Sequence, residues 1–404
     1  MKQSHNQVSN IIITLLVALI PISGAYEFLA SIGINPSFSI TFFKVPREIL
    51  MFLLFIVSLM NILKPNFSNI LTLYVLILLG ITSVCFLSND ASEVAVFGVR
   101  WALPFFLMPL LNNQISNEFL IKIAKLLFVV LLLNVICQMF QMFLMPAYRG
   151  VNLFGLSGRL GGFFALPSIA GAFSAIVLFF ISYFPPFKTK WKMVFYKGLA
   201  IFGVFLSMSS TGMGLILIVI GLPIAMRSKF SFLIIVASFF LSAIALSSLD
   251  SLTGRAEGSS EASFSTRIDI FLAQVNNSEI VSIGNFGNAT NGAVGSGRRS
   301  EAMTQAFVVD SLYTTVLVNY GLLPFLIFMV LLLLSAVYIF FIYQDIRLKI
   351  FFIVVVLSSA SLITTEIYPV NLLIVILGAY FLNGCINHHN IKIISTNILP
   401  IDNN

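Results

Sequence analysis

Apolar runs of bilayer length recur from Ile11 almost to the C-terminus, separated by short polar segments. A helix needs about 20 mainly apolar residues to cross a hydrocarbon core of about 30 Å, so the pattern predicts about twelve spans. They fall at 11–30, 48–63, 69–87, 94–112, 121–145, 165–184, 197–209, 212–226, 230–248, 310–341, 350–365 and 369–386, the seventh and eighth being short. Only residues 250–308 form a long polar stretch. The chain therefore divides into residues 1–249 (nine spans with short loops), the loop 250–308, and residues 309–404 (three spans and a tail). Within the loop, Phe264, Ile268, Phe271, Leu272 and Val275 share one helical face, with Ser263 as cap and Asn276-Asn277 as stop. That spacing predicts a helix lying on the membrane surface over the bundle. Gly284, Gly287, Gly292, Gly295 and Gly297 then predict a permissive, mobile backbone. No internal repeat of the transporter kind is evident.

Composition sharpens the class. Of 404 residues, 59% are hydrophobic and 9% charged, and the mean hydropathy is +1.03, which excludes a soluble globular domain. The expected fold is an all-α polytopic integral membrane protein. Lys64, Lys188, Lys190, Lys192, Lys197, Arg227, Lys229, Arg347 and Lys349 all fall on one face of the threaded chain. The excess of basic residues makes that face cytoplasmic, and an even number of spans puts both termini there. No small-residue cleavage site follows the first run, so 11–30 reads as a retained span. The outer face receives 31–47, 88–93, 146–164 and 250–308. Cys85, Cys137 and Cys385 lie in or beside spans, so no disulfide is expected. His5, His388 and His389 lie in the cytoplasmic tails, which leaves the outer face without a histidine base or ligand.

The outer face instead carries Arg47, Arg149, Arg159, Arg255, Arg267, Arg298 and Arg299, with Lys44. Guanidinium groups bind phosphates bidentately, although loops also need arginine for solubility, and acids outnumber the arginines over 250–310. Arg100 sits inside its span, where a charge is costly unless it is paired or reaches water. It either snorkels, with Trp101 as anchor, or faces an outward cavity. Arg159 opens Gly158-Arg159-Leu160-Gly161-Gly162-Phe163-Phe164, ahead of Pro167 and the start of the sixth span. Glycines permit close backbone approach there, and the helix start offers N–H groups to an anion. Asp310, with Tyr313 one turn on, is an N-cap or a general base, and Glu366 is a second candidate base or a solvated turn residue. Walker, Rossmann, zinc, EF-hand and Asp-x-Asp signatures are missing from the sequence.

Four segments together resemble the O-antigen polymerase family of the O-antigen polymerase and ligase superfamily. They are Arg100-Trp101-Ala102-Leu103-Pro104; Arg159-Leu160-Gly161-Gly162-Phe163 with Pro167; Ser265-Thr266-Arg267 leading to Gly284 and Gly287; and Asp310-Ser311-Leu312-Tyr313 through Gly321-Leu322-Leu323. The resemblance implies a membrane glycosyltransferase of the GT-C type in a Gram-negative inner membrane, its site facing the periplasm. Arg100, Arg159 and Arg267 would hold the diphosphate of an undecaprenyl-diphosphate-linked oligosaccharide, and Asp310 or Glu366 would serve as base. Arg149, Arg255, Arg298, Arg299 and Tyr313 would contact the rest of the substrate. It implies no metal and no cofactor, the lipid bilayer and a chain-length regulator membrane protein as partners, and no nucleic acid. The sequence departs from the family at Met208-Ser209-Ser210-Thr211-Gly212, where a basic residue is common. The ligase branch commonly has a histidine where Asp310 stands, which favours the polymerase. A ligase, a lipid-linked oligosaccharide flippase and a solute transporter are the competing expectations.

Overall fold

The computed structural model describes residues 2–32, 34, 40–64, 67–87, 92–144, 159–164, 166–225, 268–277, 284–290, 311–343, 345–362 and 364–397. Among these residues there is no strand. The helices are α1 (Lys2–Ala18), α2 (Ile20–Ser23), α3 (Ala25–Ser31), α4 (Ile40–Leu59, continued by a 3-10 turn to Leu63), α5 (Asn69–Leu87), α6 (Ser92–Leu110), α7 (Asn117–Leu144), α8 (Pro167–Tyr183), α9 (Lys190–Ser207) and α10 (Ser210–Ala225). After them come α11 (268–275), α12 (Leu312–Tyr320), α13 (Leu322–Val337, continued by a π turn to Ile342), α14 (Ile346–Ser361) and α15 (Val370–Asn397).

Four stretches among the described residues are long and apolar enough to cross a membrane: Phe42–Leu63, Asn69–Leu87, Asn117–Phe143 and Leu322–Ile342. Shorter apolar helices pack among them. On α13, Leu323, Leu326, Ile327, Val330, Leu331, Leu333 and Leu334 are all exposed. Lipid is the solvent that suits such a surface, and the molecule is a helical membrane protein.

At the centre stands α8, buried at every residue from Ala170 to Ile181. Small side chains let its neighbours approach closely, as is usual where helices associate in lipid. A Cβ on Gly171 would lie 2.5 Å from Ser209 Cβ, and one on Gly212 would lie 2.8 Å from the Gly171 Cα. Met208, with φ of 46°, closes α9 in the left-handed conformation and turns the chain directly into α10.

Contacts along the helices give their directions. Glu48 meets Arg100 at one level of α4 and α6, and Asn61 donates to the Leu110 carbonyl at another, so these two helices run parallel. Trp101 and Phe105 meet Tyr320 and Phe328, which aligns α12 and α13 with α6. Phe128 stacks on Tyr196 and Gln138 donates to the Gly203 carbonyl, so α7 and α9 are parallel as well. α8 opposes α9, with Gly171 against Ser207 and Ser174 against Gly203. Among these helices, even-numbered predicted spans are parallel to even ones and odd to odd.

Two predicted spans are interrupted. The run 11–30 breaks at Leu19 and at Gly24, where a Cβ would stand 2.0 Å from the Phe163 carbonyl oxygen. The run 310–341 breaks at Gly321, with φ of 84°, between α12 and α13. A loop from elsewhere in the chain lies against each glycine, and a proline, Pro21 after Leu19 and Pro324 after Gly321, stands in the first turn of the helix that follows, where its missing N–H costs nothing. The predicted span 230–248 lies outside the described residues.

Candidate functional site

α4 begins at Ile40, ahead of its predicted span, and so carries Arg47 and Glu48 into the bundle on regular helix. There they meet Arg100 of α6 and the turn between α14 and α15. The resulting cleft is lined by Arg47, Glu48, Met51, Arg100, Leu103, Thr365, Glu366, Tyr368 and Asn371. Two arginines and two carboxylates thus face one space. The Arg47 guanidinium donates through Nε to Glu48 Oε1 at 2.9 Å, with a second contact from its terminal nitrogen. Arg100 Nε lies 3.3 Å from the other oxygen, Glu48 Oε2. One carboxylate therefore bridges two guanidiniums, and this pairing offsets the cost of placing the Arg100 charge within an apolar helix.

Arg47 is only 8% exposed and Glu366 6%. The Arg47 guanidinium also stacks over the Tyr368 ring, 4.8 Å from its centroid. Burial pushes the Tyr368 phenol up, and its hydroxyl donates to the Leu16 carbonyl. It is therefore a neutral donor that ties the turn to α1, unsuited to act as a base at neutral pH. Asn371 fastens the same turn by donating to the Thr365 carbonyl at 3.1 Å and accepting from the Leu372 amide. Thr365 Oγ1 is buried and has no hydrogen-bond partner among the described residues. Unsatisfied hydroxyls of this kind are uncommon in protein interiors, and this one belongs to a residue of the cleft wall.

Arg159 does not line this cleft. It is half-buried at the start of a loop held by α7. Asn134, Gln138 and Gln141 recur at helical spacing on that helix. Asn134 Oδ1 accepts from the Phe163 amide, Gln138 donates to the Leu160 carbonyl, and Gln141 both donates to the Gly162 carbonyl and accepts from its amide. Four hydrogen bonds from three side chains thereby tie the loop to α7. Gly162 is required, since its φ is +64° and a Cβ would lie 2.1 Å from Asn134 Oδ1. Tyr313, on α12, donates its hydroxyl to the Val356 carbonyl and is likewise absent from the cleft lining. Arg149, Arg255, Arg267, Arg298, Arg299 and Asp310 lie outside the described residues.

The glycine-rich stretch departs from its expectation at Gly284 and Gly287, while Gly292, Gly295 and Gly297 lie outside the described residues. Residues 284–290 are packed into the bundle beside α6 and α12. Phe286 is buried against Tyr320, and a Cβ on Gly98 would lie 2.5 Å from its ring. Asn285 donates its amide to the Val318 carbonyl, and the Gly287 amide donates to Asn319 Oδ1. Close approach and positive φ, not freedom of movement, explain Gly284 and Gly287: Cβ atoms there would meet Gly321 N at 2.5 Å and the Val94 carbonyl oxygen at 2.0 Å. α11 also seats differently from its predicted face. Ile270, Phe271 and Val275 pack on the core formed with α5, α6, α12 and α13, while Ile268 and Leu272 are exposed. Apolar outer positions beside a membrane blur the face that the sequence marks.

Sequence reasoning missed Glu48 and the amides of α7. The latter had a signal, three carboxamides at i, i+4 and i+7 in an otherwise apolar span. Glu48 had none beyond adjacency to Arg47. Comparison with protein-family models, curated proteins and solved structures finds no match.

Proposed function

We propose that the protein is an O-antigen polymerase, joining undecaprenyl-diphosphate-linked oligosaccharide repeats on the periplasmic face of a Gram-negative inner membrane, as a bundle of about twelve spans. The observation that carries this reading is the convergence of Arg47, Arg100 and Glu366 on one cleft. The predicted threading puts all three at the outer end. The alternating helix directions are also those the threading requires.

In the proposed reaction, a sugar hydroxyl of one lipid-linked unit attacks the anomeric carbon of another. A glycosidic C–O bond forms, the C–O bond to the lipid diphosphate breaks, and the hydroxyl proton passes to a carboxylate, Glu366 in the cleft or Asp310. The diphosphate takes the place of Glu48 between the Arg47 and Arg100 guanidiniums. Charge grows on the leaving oxygen as the bond breaks, so fixed guanidiniums stabilise the transition state more than the ground state. The Thr365 hydroxyl is a free partner for a sugar hydroxyl.

Deletion of the gene, followed by electrophoresis of lipopolysaccharide and of lipid-linked intermediates, tests the reading. Collapse of the ladder to core bearing one repeat is expected. Bare core with accumulated lipid-linked polymer would replace the reading with a ligase, and bare core with single units held on the cytoplasmic leaflet with a flippase. An unchanged ladder would remove it altogether.

A further inference from the structure

At the end of the bundle opposite the cleft, α7 and α9 begin side by side. Phe128 packs on Tyr196, with ring centroids 3.6 Å apart, and Phe187 caps the pair. Because the two helices run parallel, Lys122 and Lys125 precede the Phe128–Tyr196 contact on α7 as Lys188, Lys190 and Lys192 precede it on α9 and its lead-in, with Lys197 one residue beyond it. None of the six makes an ion pair among the described residues; Lys192 lies over the Phe187 ring at 5.9 Å. Glu118, exposed in the first turn of α7, is the carboxylate nearest in sequence.

The arrangement is electrostatically unfavourable as it stands. A helix N-terminus carries partial positive charge, and acids, not lysines, stabilise it. α9 has no acid in its first turn and no side-chain cap, and its first residues are Lys190, Trp191 and Lys192. The α7 end does carry an acid, Glu118, and the Ser116 hydroxyl accepts from the Phe119 amide, so the uncompensated positive end is that of α9. A second and independent feature is apolar: Trp191 is 80% exposed, and Val194 and Phe195 beside it are also exposed. Tryptophan in this position belongs to the membrane–water boundary.

We infer that this end of the bundle is a binding site for the phosphate headgroup of an anionic phospholipid, with the lysines of α7 and α9 taking the charge and Trp191, Val194 and Phe195 lying along the acyl chain. A free phosphate would satisfy the lysines but leave the aromatic and aliphatic surface exposed, which is why a lipid is the occupant. The site is independent of the proposed transferase reaction, and its test does not depend on that reaction.

Trp191 supplies the readout, because the other tryptophan, Trp101, is fully buried. Full-length protein in neutral detergent is titrated with brominated phosphatidylglycerol or brominated phosphatidylcholine, and quenching of tryptophan emission is followed. Phosphatidylglycerol is expected to quench at a much lower mole fraction, and 1 M salt to abolish the difference. K188Q/K190Q/K192Q is expected to weaken the preference at least tenfold, at roughly fivefold per lysine allowing for non-additivity. These are exposed side chains, and an unchanged melting transition verifies that the variant is folded. Equal quenching by the two lipids, or an unchanged preference in the triple variant, would overturn the inference. Protection by inorganic phosphate equal to that by phosphatidylglycerol would overturn it in favour of a free anion, and stronger competition by polyglutamate in favour of an acidic protein segment.

Discussion

The two ends of the bundle handle positive charge in opposite ways. At the cleft, Arg47 and Arg100 share one carboxylate, Glu48, with Glu366 lining the same space, and Arg47 is almost wholly buried. Where α7 and α9 begin, six lysines stand without ion-pair partners among the described residues, and Lys188, Lys190 and Lys192 are exposed. Internal pairing makes the first set part of the fold. The second set makes no ion pair among the described residues, and its one described ring contact is that of Lys192 with Phe187. Arginine and lysine divide accordingly: a planar guanidinium bridges and stacks, whereas an ammonium on a flexible stem serves a surface.

The comparison breaks most visibly at Arg47. Arg47→Ala leaves Glu48 without its closest partner and strips the Tyr368 ring of its cation. A loss of about 3 kcal/mol is expected, at the low end for a broken buried pair because Glu48 keeps a third of its side chain in solvent. A large drop in the melting temperature of detergent-purified protein checks it, and a wild-type melt would show that the pairing contributes no stability. Gly287→Ala places a methyl group against the Val94 carbonyl at a φ of +93°. About 2 kcal/mol is expected from strain and overpacking, read as lowered stability and increased protease cutting within 250–308. Gln138→Leu removes the donor to the Leu160 and Gly203 carbonyls. It should cost about 1–2 kcal/mol in the melt and loosen the loop that follows Arg159, seen as faster amide exchange over 159–164. Lys190→Ala sharpens the contrast from the other side, since its stability change should stay within about 0.5 kcal/mol. A larger loss would mean that the lysine end is structural after all.

How far the sequence led differs along the same lines. Hydropathy located the start of α5 at Asn69, because a uniformly apolar helix that follows a polar turn has one reading. It did not locate the breaks near Gly24 and Gly321, although Pro21 and Pro324 are local signals for them, because hydropathy runs on unchanged through a proline. Arg100 was legible as an anomaly, a charge inside a span. Its partner was not, because Glu48 reaches it only through the parallel packing of α4 on α6. The lysines were legible as a topology signal, but their confluence depends on α7 and α9 starting side by side. For Arg267 and Asp310, which lie outside the described residues, the reading still rests on the resemblance.

The seating of Phe286 on Gly98 has a consequence for engineering the long connection between α10 and α12. Chain held at 284–290 leaves only 291–310 to close as a loop before α12, and closure entropy grows only slowly with length. Insertions or epitope tags in that stretch should be accepted with little effect on the bundle, whereas a residue added between 284 and 286 shifts Phe286 out of register with its glycine. The anchor seats on Gly98, which is two residues from Arg100 on α6 and therefore on another side of that helix, so a tag next to the anchor leaves the cleft clear.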